Sequence, residues 1–233
     1  MTKILLAVTG ARTWTLADGT ARPTGFWPEE LIVLHRTFQG AGFQVTLATP
    51  GAVVPVPDEA GFAPEFNGGS TEAGPAFRDY LESIEGQLRS VENLDEATAA
   101  QFDAVVLPGG HGPMEDLAVS ASFGRLLVEF LAQGKIVGAL CHGPAGLLAA
   151  AAPDGSWAFD GYQMTGFSNH EENQIGLGPL ASWLLEDELT AKGGKFVAGP
   201  AWGPHVISDR NLHTGQNPVS SQLFADLLVK QLG

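Results

Sequence analysis

The chain has 233 residues, 44% hydrophobic and 16% charged, a balance that supports a sizeable core and gives no sign of a disordered tail. Twelve basic residues against 26 acidic ones leave a net charge of −14, which argues against nucleic acid or an anionic membrane as partner, since both are gripped by clustered Lys and Arg. With a single cysteine there is no intrachain disulfide, and a cytoplasmic location is expected.

The apolar run Ile4 to Val8 is shorter than a signal-peptide core and reads as a first strand, Lys3 to Thr9. Gly10 to Thr24 reads as a polar loop. Gly25-Phe26-Trp27-Pro28-Glu29-Glu30 then opens a helix with Leu31, Leu34, His35 and Phe38 at helical spacing, closed by Gly40 and Gly42. Phe43 to Thr49 is the second strand, completing a βαβ unit and hence a parallel pair. Residues 50 to 75 read as a long Gly- and Pro-rich loop, and Glu72 to Leu88 as a weak helix. Phe102 to Leu107 is a strand broken by Pro108-Gly109-Gly110-His111-Gly112, and Ala121 to Gln133 is an amphipathic helix stopped by Gly134. No stretch approaches the roughly 18 uninterrupted apolar residues of a membrane span.

The stretch from Lys135 to Leu148 carries the most chemical information. A short β-branched run leads into Cys141-His142-Gly143-Pro144 and then an alanine- and leucine-rich segment read as a helix. A cysteine on such a strand-to-helix corner has the placement of a nucleophile elbow, and a helix N-terminus behind it would favour thiolate. The competing reading is a small buried hydrophobe, which free cysteines commonly are. Further on, Asp154 to Gln163 is polar and bears aromatics. Ser168 or Asn169 caps a short helix, Trp183 to Lys192 is helical, and Lys195–Ala198, Val206–Ile207 and Asn211–Thr214 are short strands. Val219 to Leu232 is a terminal amphipathic helix. The whole reads as one domain, residues 1–233, with a parallel sheet wrapped by helices on both faces.

In open α/β sheets, chemistry collects at the carboxyl ends of strands. Gly109-Gly110 there lets backbone N–H groups approach a ligand, and one of them with the His142 N–H would make an oxyanion hole. A Cys-His pair needs a carboxylate to orient the histidine, and Glu29, Glu30, Glu171 and Glu172 are all open candidates on the residues alone. The six histidines include no His-x-x-x-His pair, and the chain has neither Gly-x-x-x-x-Gly-Lys-Ser/Thr nor Gly-x-Gly-x-x-Gly. Neither a metal nor a cofactor is expected.

Four segments in this order resemble the ThiJ/PfpI superfamily. They are Thr24-Gly25-x-x-x-Glu29-Glu30, Pro108 to Gly112, Ala139 to Pro144 and Thr165-Gly166-Phe167-Ser168-Asn169-x-Glu171-Glu172. Within it the chain is most similar to the bacterial and fungal heat-shock chaperone branch with glutathione-independent glyoxalase (glyoxalase III) activity. The resemblance implies a flavodoxin-like three-layer α/β sandwich, with Cys141 as nucleophile, His142 as its base and Glu172 as the acid orienting that histidine. Glu30 would bond to the thiol, and Gly110 with the His142 backbone would bind the oxyanion. Cys141 is then expected to be exposed and of low pKa. The chain departs from the family pattern in Trp27 and Pro28 before the glutamates, and in Trp157 and Trp202, which are expected to crowd or line the site. The resemblance further implies a small carbonyl substrate such as methylglyoxal, and a homodimer.

Two other readings compete. A glutamine amidotransferase or amidase would use a His-x-Glu pair, and His170-x-Glu172 has that spacing, but the elbow lacks Gly-x-Cys-x-Gly-Gln. A non-enzymatic oxidation sensor or holdase would need only the reactive thiol.

Overall fold

A computed structural model describes residues 1–233. In chain order the elements are β1 Lys3–Ala7, β2 Thr13–Thr15, β3 Ala21–Pro23, α1 Pro28–Gly40, β4 Gln44–Thr49, α2 Ala73–Ser83, α3 Glu85–Arg89, β5 Glu92–Asn93, β6 Ala104–Leu107, α4 Gly112–Glu115 and α5 Ala121–Ala132. They continue with β7 Ile136–Leu140, β8 Gln163–Met164, α6 Asn169–Gln174, α7 Leu185–Ala191, β9 Lys195–Phe196, β10 Val206–Asp209, β11 Leu212–Gly215 and α8 Ser221–Leu232. Seven strands form one sheet in the order β10-β11-β7-β6-β1-β4-β5, parallel throughout except for the β10–β11 hairpin.

The strands β1, β6 and β7 are buried on both sides, and their alternate residues feed two separate cores. Leu5, Val105 and Leu107 pack with Phe123, Leu127 and Phe130 of α5, whereas Ile4, Leu6 and Val106 pack with Leu31, Leu34 and Phe38 of α1 and Phe224 of α8. Each fully buried Leu or Phe contributes about 1.5–3 kcal/mol of transfer free energy. Helices therefore cover both faces of a mainly parallel sheet, the flavodoxin-like arrangement expected from the sequence.

Several segments differ from the reading. The polar loop Gly10 to Thr24 contains the antiparallel hairpin β2–β3, in which Trp14 pairs directly with Arg22. Its alternation is short, but Trp14 is 1% exposed and anchors it. Glu72 to Leu88 breaks into α2 and α3 at Ile84. Lys195–Phe196 pairs with Gln163–Met164 outside the main sheet. The segment after Cys141 is a 3₁₀ turn, Gly143–Ala149, in place of an α-helix. A Cβ at Gly143 would stand 2.5 Å from the Leu107 carbonyl, and one at Gly146 2.7 Å from the Leu107 side chain. The glycines let this segment press against β6, and the tighter winding goes with that close approach.

Candidate active site

Cys141 follows the last residue of β7 and has a φ of 58°, in the left-handed region. For a residue with a Cβ that conformation costs about 1–2 kcal/mol. It is held on both sides, because the Cys141 N–H donates to the Gly215 carbonyl at 2.9 Å and its own carbonyl accepts from the Phe167 N–H at 2.8 Å. The corner lifts the side chain above the carboxyl end of the sheet, into the wall of a cavity of about 130 Å³. The expected exposed, low-pKa thiol is not what forms. Cys141 is 3% exposed, and burial followed by the neighbouring Glu30 pushes the thiol well above its ordinary value. The short 3₁₀ turn behind it supplies less dipole than the α-helix expected from the sequence. The Gly110 N–H facing the sulfur acts the other way and favours thiolate.

Beside the sulfur, His142 Nδ1 lies 3.4 Å from Sγ, while its Nε2 donates to Glu172 Oε2 at 2.7 Å. The other carboxylate oxygen, Oε1, accepts from His111 Nε2 at 2.9 Å. With each Nε2 carrying its hydrogen toward Glu172, the neutral rings leave both Nδ1 atoms as acceptors, and that of His142 faces the thiol. Burial alone would raise the Glu172 pKa, but the two imidazoles hold it well below the usual carboxylate range. Burial and the neighbouring His142 draw His111 down to about 4, so it is neutral near pH 7. The rings continue as a row, with Trp14 stacked on His111 at 4.4 Å, and His111 against His142 at 4.1 Å and His142 against Phe167 at 4.6 Å as tilted pairs.

Glu30 reaches the sulfur from α1. Its Oε2 accepts from the Gly109 N–H at 2.6 Å, its Oε1 has no partner of ordinary geometry, and its carboxyl interacts with the Cys141 thiol. Burial raises its pKa to about 8. Gly110 has a φ of 88°, and a Cβ there would fall 2.3 Å from the Gly25 carbonyl oxygen, so only glycine lets this loop thread between α1 and the elbow.

Cys141, His142, Glu172, Glu30 and Gly110 are thus brought together from four separate segments. Glu29 is half-buried and makes no hydrogen bond through its side chain, while Glu171 is spent on architecture. Glu171 caps α6 through Ser168 and accepts from Gln216 Nε2 at 3.0 Å, Asn217 Nδ2 at 2.8 Å and the Trp202 N–H at 2.9 Å. Trp27 and Trp202 line the cavity, but Trp157 does not, because its Nε1 is turned away to donate to the Leu147 carbonyl at 2.7 Å. His111 received no role from the sequence, although it follows the Gly109-Gly110 turn at the carboxyl end of β6, adjacent to β7. His111, His142 and Glu172 offer ligand atoms all within 4.8 Å of one another, as a cation site would need. Both Nε2 hydrogens are already taken by Glu172, which satisfies the trio without an ion. His170 is exposed and bonds Gln174, so it does not pair with Glu172 as an amidotransferase arrangement would require.

A mainly parallel α/β sandwich with a cysteine on a strand-to-turn corner, an imidazole beside it and carboxyls on either side defines an elbow-type thiol site. The chain belongs to the DJ-1/PfpI family, whose model matches residues 23–231. The protein/nucleic acid deglycase HchA of Pseudomonas aeruginosa is 31% identical over 241 residues, covering 99% of this chain and 80% of that protein. The glutathione-independent glyoxalase HSP31 of Saccharomyces cerevisiae is 28% identical over 232 residues, covering 96% and 94%. The crystal structure of glyoxalase III from Candida albicans shares the fold with a TM-score of 0.83 at 22% identity, over 100% of this chain and 98% of that one. No helix is long and apolar enough to cross a membrane.

Proposed function

We propose that the protein is a glutathione-independent glyoxalase, a lyase-type enzyme that converts methylglyoxal or a related α-oxoaldehyde to the 2-hydroxy acid. The observation that carries this reading is the placement of two proton-handling groups beside one sulfur, with His142 Nδ1 3.4 Å from Sγ and the buried Glu30 carboxyl, raised to about 8, as its other neighbour. An acid–base group titrating near the working pH exchanges protons in both directions, as an isomerisation between adjacent carbons demands.

The thiol proton passes to His142 Nδ1, and the Glu172 carboxylate stabilises the imidazolium. The sulfur adds to the aldehyde carbon, and its oxygen, facing the Gly110 N–H, takes a proton from neutral Glu30 to give a hemithioacetal. The Glu30 carboxylate then removes the hydrogen on that carbon. As the enediol collapses, His142 protonates the second carbon while the first hydroxyl's proton moves to the second oxygen. The product is a 2-hydroxyacyl thioester. Water cleaves it to the hydroxy acid and the free thiol, leaving Glu30 protonated and His142 neutral as at the start. The burial that raises the thiol pKa suits this sequence, because thiolate forms only as the substrate accepts it.

The test is loss of methylglyoxal and appearance of lactate without glutathione. Cys141→Ala should abolish both, and Glu30→Gln should lower kcat by about 10²–10⁴-fold. Absence of lactate from the wild-type protein overturns the reading. In that case, mass gain on Cys141 under peroxide would favour the sensor alternative.

A further inference from the structure

The β2–β3 hairpin lies almost entirely before the segment that matches the family model, which begins at residue 23. It nevertheless delivers two side chains to the site. Trp14 and Arg22 are direct cross-strand partners, so their side chains leave the hairpin on one face. Trp14 stacks on His111, and Arg22 lines the same cavity as Cys141.

Arg22 is the only Lys or Arg among the residues lining that cavity, and its side chain is 26% exposed. Its guanidinium is only loosely engaged. Nη1 lies 3.5 Å from Asp58 Oδ2 and 3.3 Å from the Pro23 carbonyl, while Nε and Nη2 have no protein partner. Asp58 is itself well satisfied, accepting from Thr24 Oγ1 at 2.9 Å and the Ala60 N–H at 3.0 Å, so it steadies the fork without closing it. The charge reaches the reactive cluster, where it disfavours protonation of His111. Around it the walls are apolar, chiefly Trp27, Phe66, Phe167 and Trp202.

A cavity of about 130 Å³ is roughly tenfold the space that one water requires, whereas methylglyoxal is no bigger than a few waters. A planar fork with free donors and a nucleophile, lining one cavity whose walls are otherwise largely apolar, match a longer substrate with an anionic tail. We propose that Arg22 is the specificity-determining residue, and that the preferred substrate is an α-oxoaldehyde carrying a carboxylate at the end remote from the aldehyde. This rests on the glyoxalase reading for its chemistry, though the anion preference of the cavity can be read without turnover.

The experiment compares 4,5-dioxopentanoate with its neutral counterpart 2-oxopentanal, taking the ratio of their kcat/KM within each variant so that any general loss of folding cancels. The wild-type ratio should favour the carboxylate by about tenfold, the scale of one charge-assisted hydrogen-bonded pair. It should fall to near or below one in Arg22→Gln and recover in part in Arg22→Lys. A ratio unmoved by Arg22→Gln overturns the proposal while leaving the glyoxalase reading intact. If neither aldehyde is consumed, that reading fails, and a second measurement judges Arg22 alone. Protection of Cys141 from iodoacetamide by 4-oxopentanoate should exceed that by 2-pentanone in the wild type and not in Arg22→Gln. Equal protection by the two ligands in the wild type overturns the proposal.

Discussion

Glu30 is fully buried, lacks a cation partner and leaves one oxygen without a hydrogen bond, so its ionised form is expensive. The unfolded chain releases this proton near 4.5 and the folded one near 8. Stability from this group is therefore complete below about pH 4.5 and is lost as pH rises through 8. Glu30→Gln keeps an acceptor for the Gly109 N–H and removes the ionisation. It should be more stable than wild type by about 3 kcal/mol at pH 7 and show no advantage at pH 4, read from urea melts at the two pH values. An equal gain at both would mean that ionisation of Glu30 is not the cause. Glu172 has the opposite sign. Its pKa is depressed, so its contribution is present above the unfolded value of 4.5 and is lost as pH falls through the folded one. Glu172→Gln leaves two buried imidazoles without their shared anion and should cost about 3–5 kcal/mol at pH 7, a deficit that narrows in acid.

At the scale of elements, the site depends on how close the Gly109-Gly110 turn can come to α1 and the elbow. Gly110→Ala would place a methyl group 2.3 Å from the Gly25 carbonyl at a φ of 88°. A loss of about 2–4 kcal/mol is expected in equilibrium unfolding, with activity falling further because the N–H facing the sulfur shifts. Much of this assembly was legible in the sequence, because β-branched runs ending in glycine or in Cys141 mark the carboxyl ends of β6 and β7, and Ser168-x-x-Glu171 writes its own capping box. What escaped was set by contacts distant along the chain. The β2–β3 hairpin has strands too short for periodicity, although Asp18-Gly19 at its tip is a turn signal. The 3₁₀ winding after Cys141 follows from contact with Leu107, and the high thiol pKa from burial beneath loops whose approach no local pattern encodes. His111 and Arg22 enter the site only because the sheet order sets β6 beside β7 and the hairpin packs against α4, which follows His111.

Over the whole molecule, an excess of acids is spread across a fold whose strength lies in two apolar layers, one on each face of the sheet. Four arginine–carboxylate pairs form, and three of them are largely at the surface, so most of the 26 acidic residues face water without a cation. A net charge of −14 on a compact body repels itself, and unfolding relieves the strain by separating the charges. Raising ionic strength from about 0.01 M to 0.15 M shortens the screening length from roughly 30 Å to 8 Å and should remove much of that penalty. The melting temperature should then rise by a few degrees with sodium chloride at pH 7. Asp79 and Glu82 are exposed residues on α2, remote from the thiol, with no ion-pair partner. The double variant Asp79→Lys/Glu82→Lys should melt higher than wild type at low salt, and the gap should close as salt is added. A gap that persists unchanged at high salt would assign the gain to new local contacts of the lysines, because long-range repulsion is screened there and short-range packing is not.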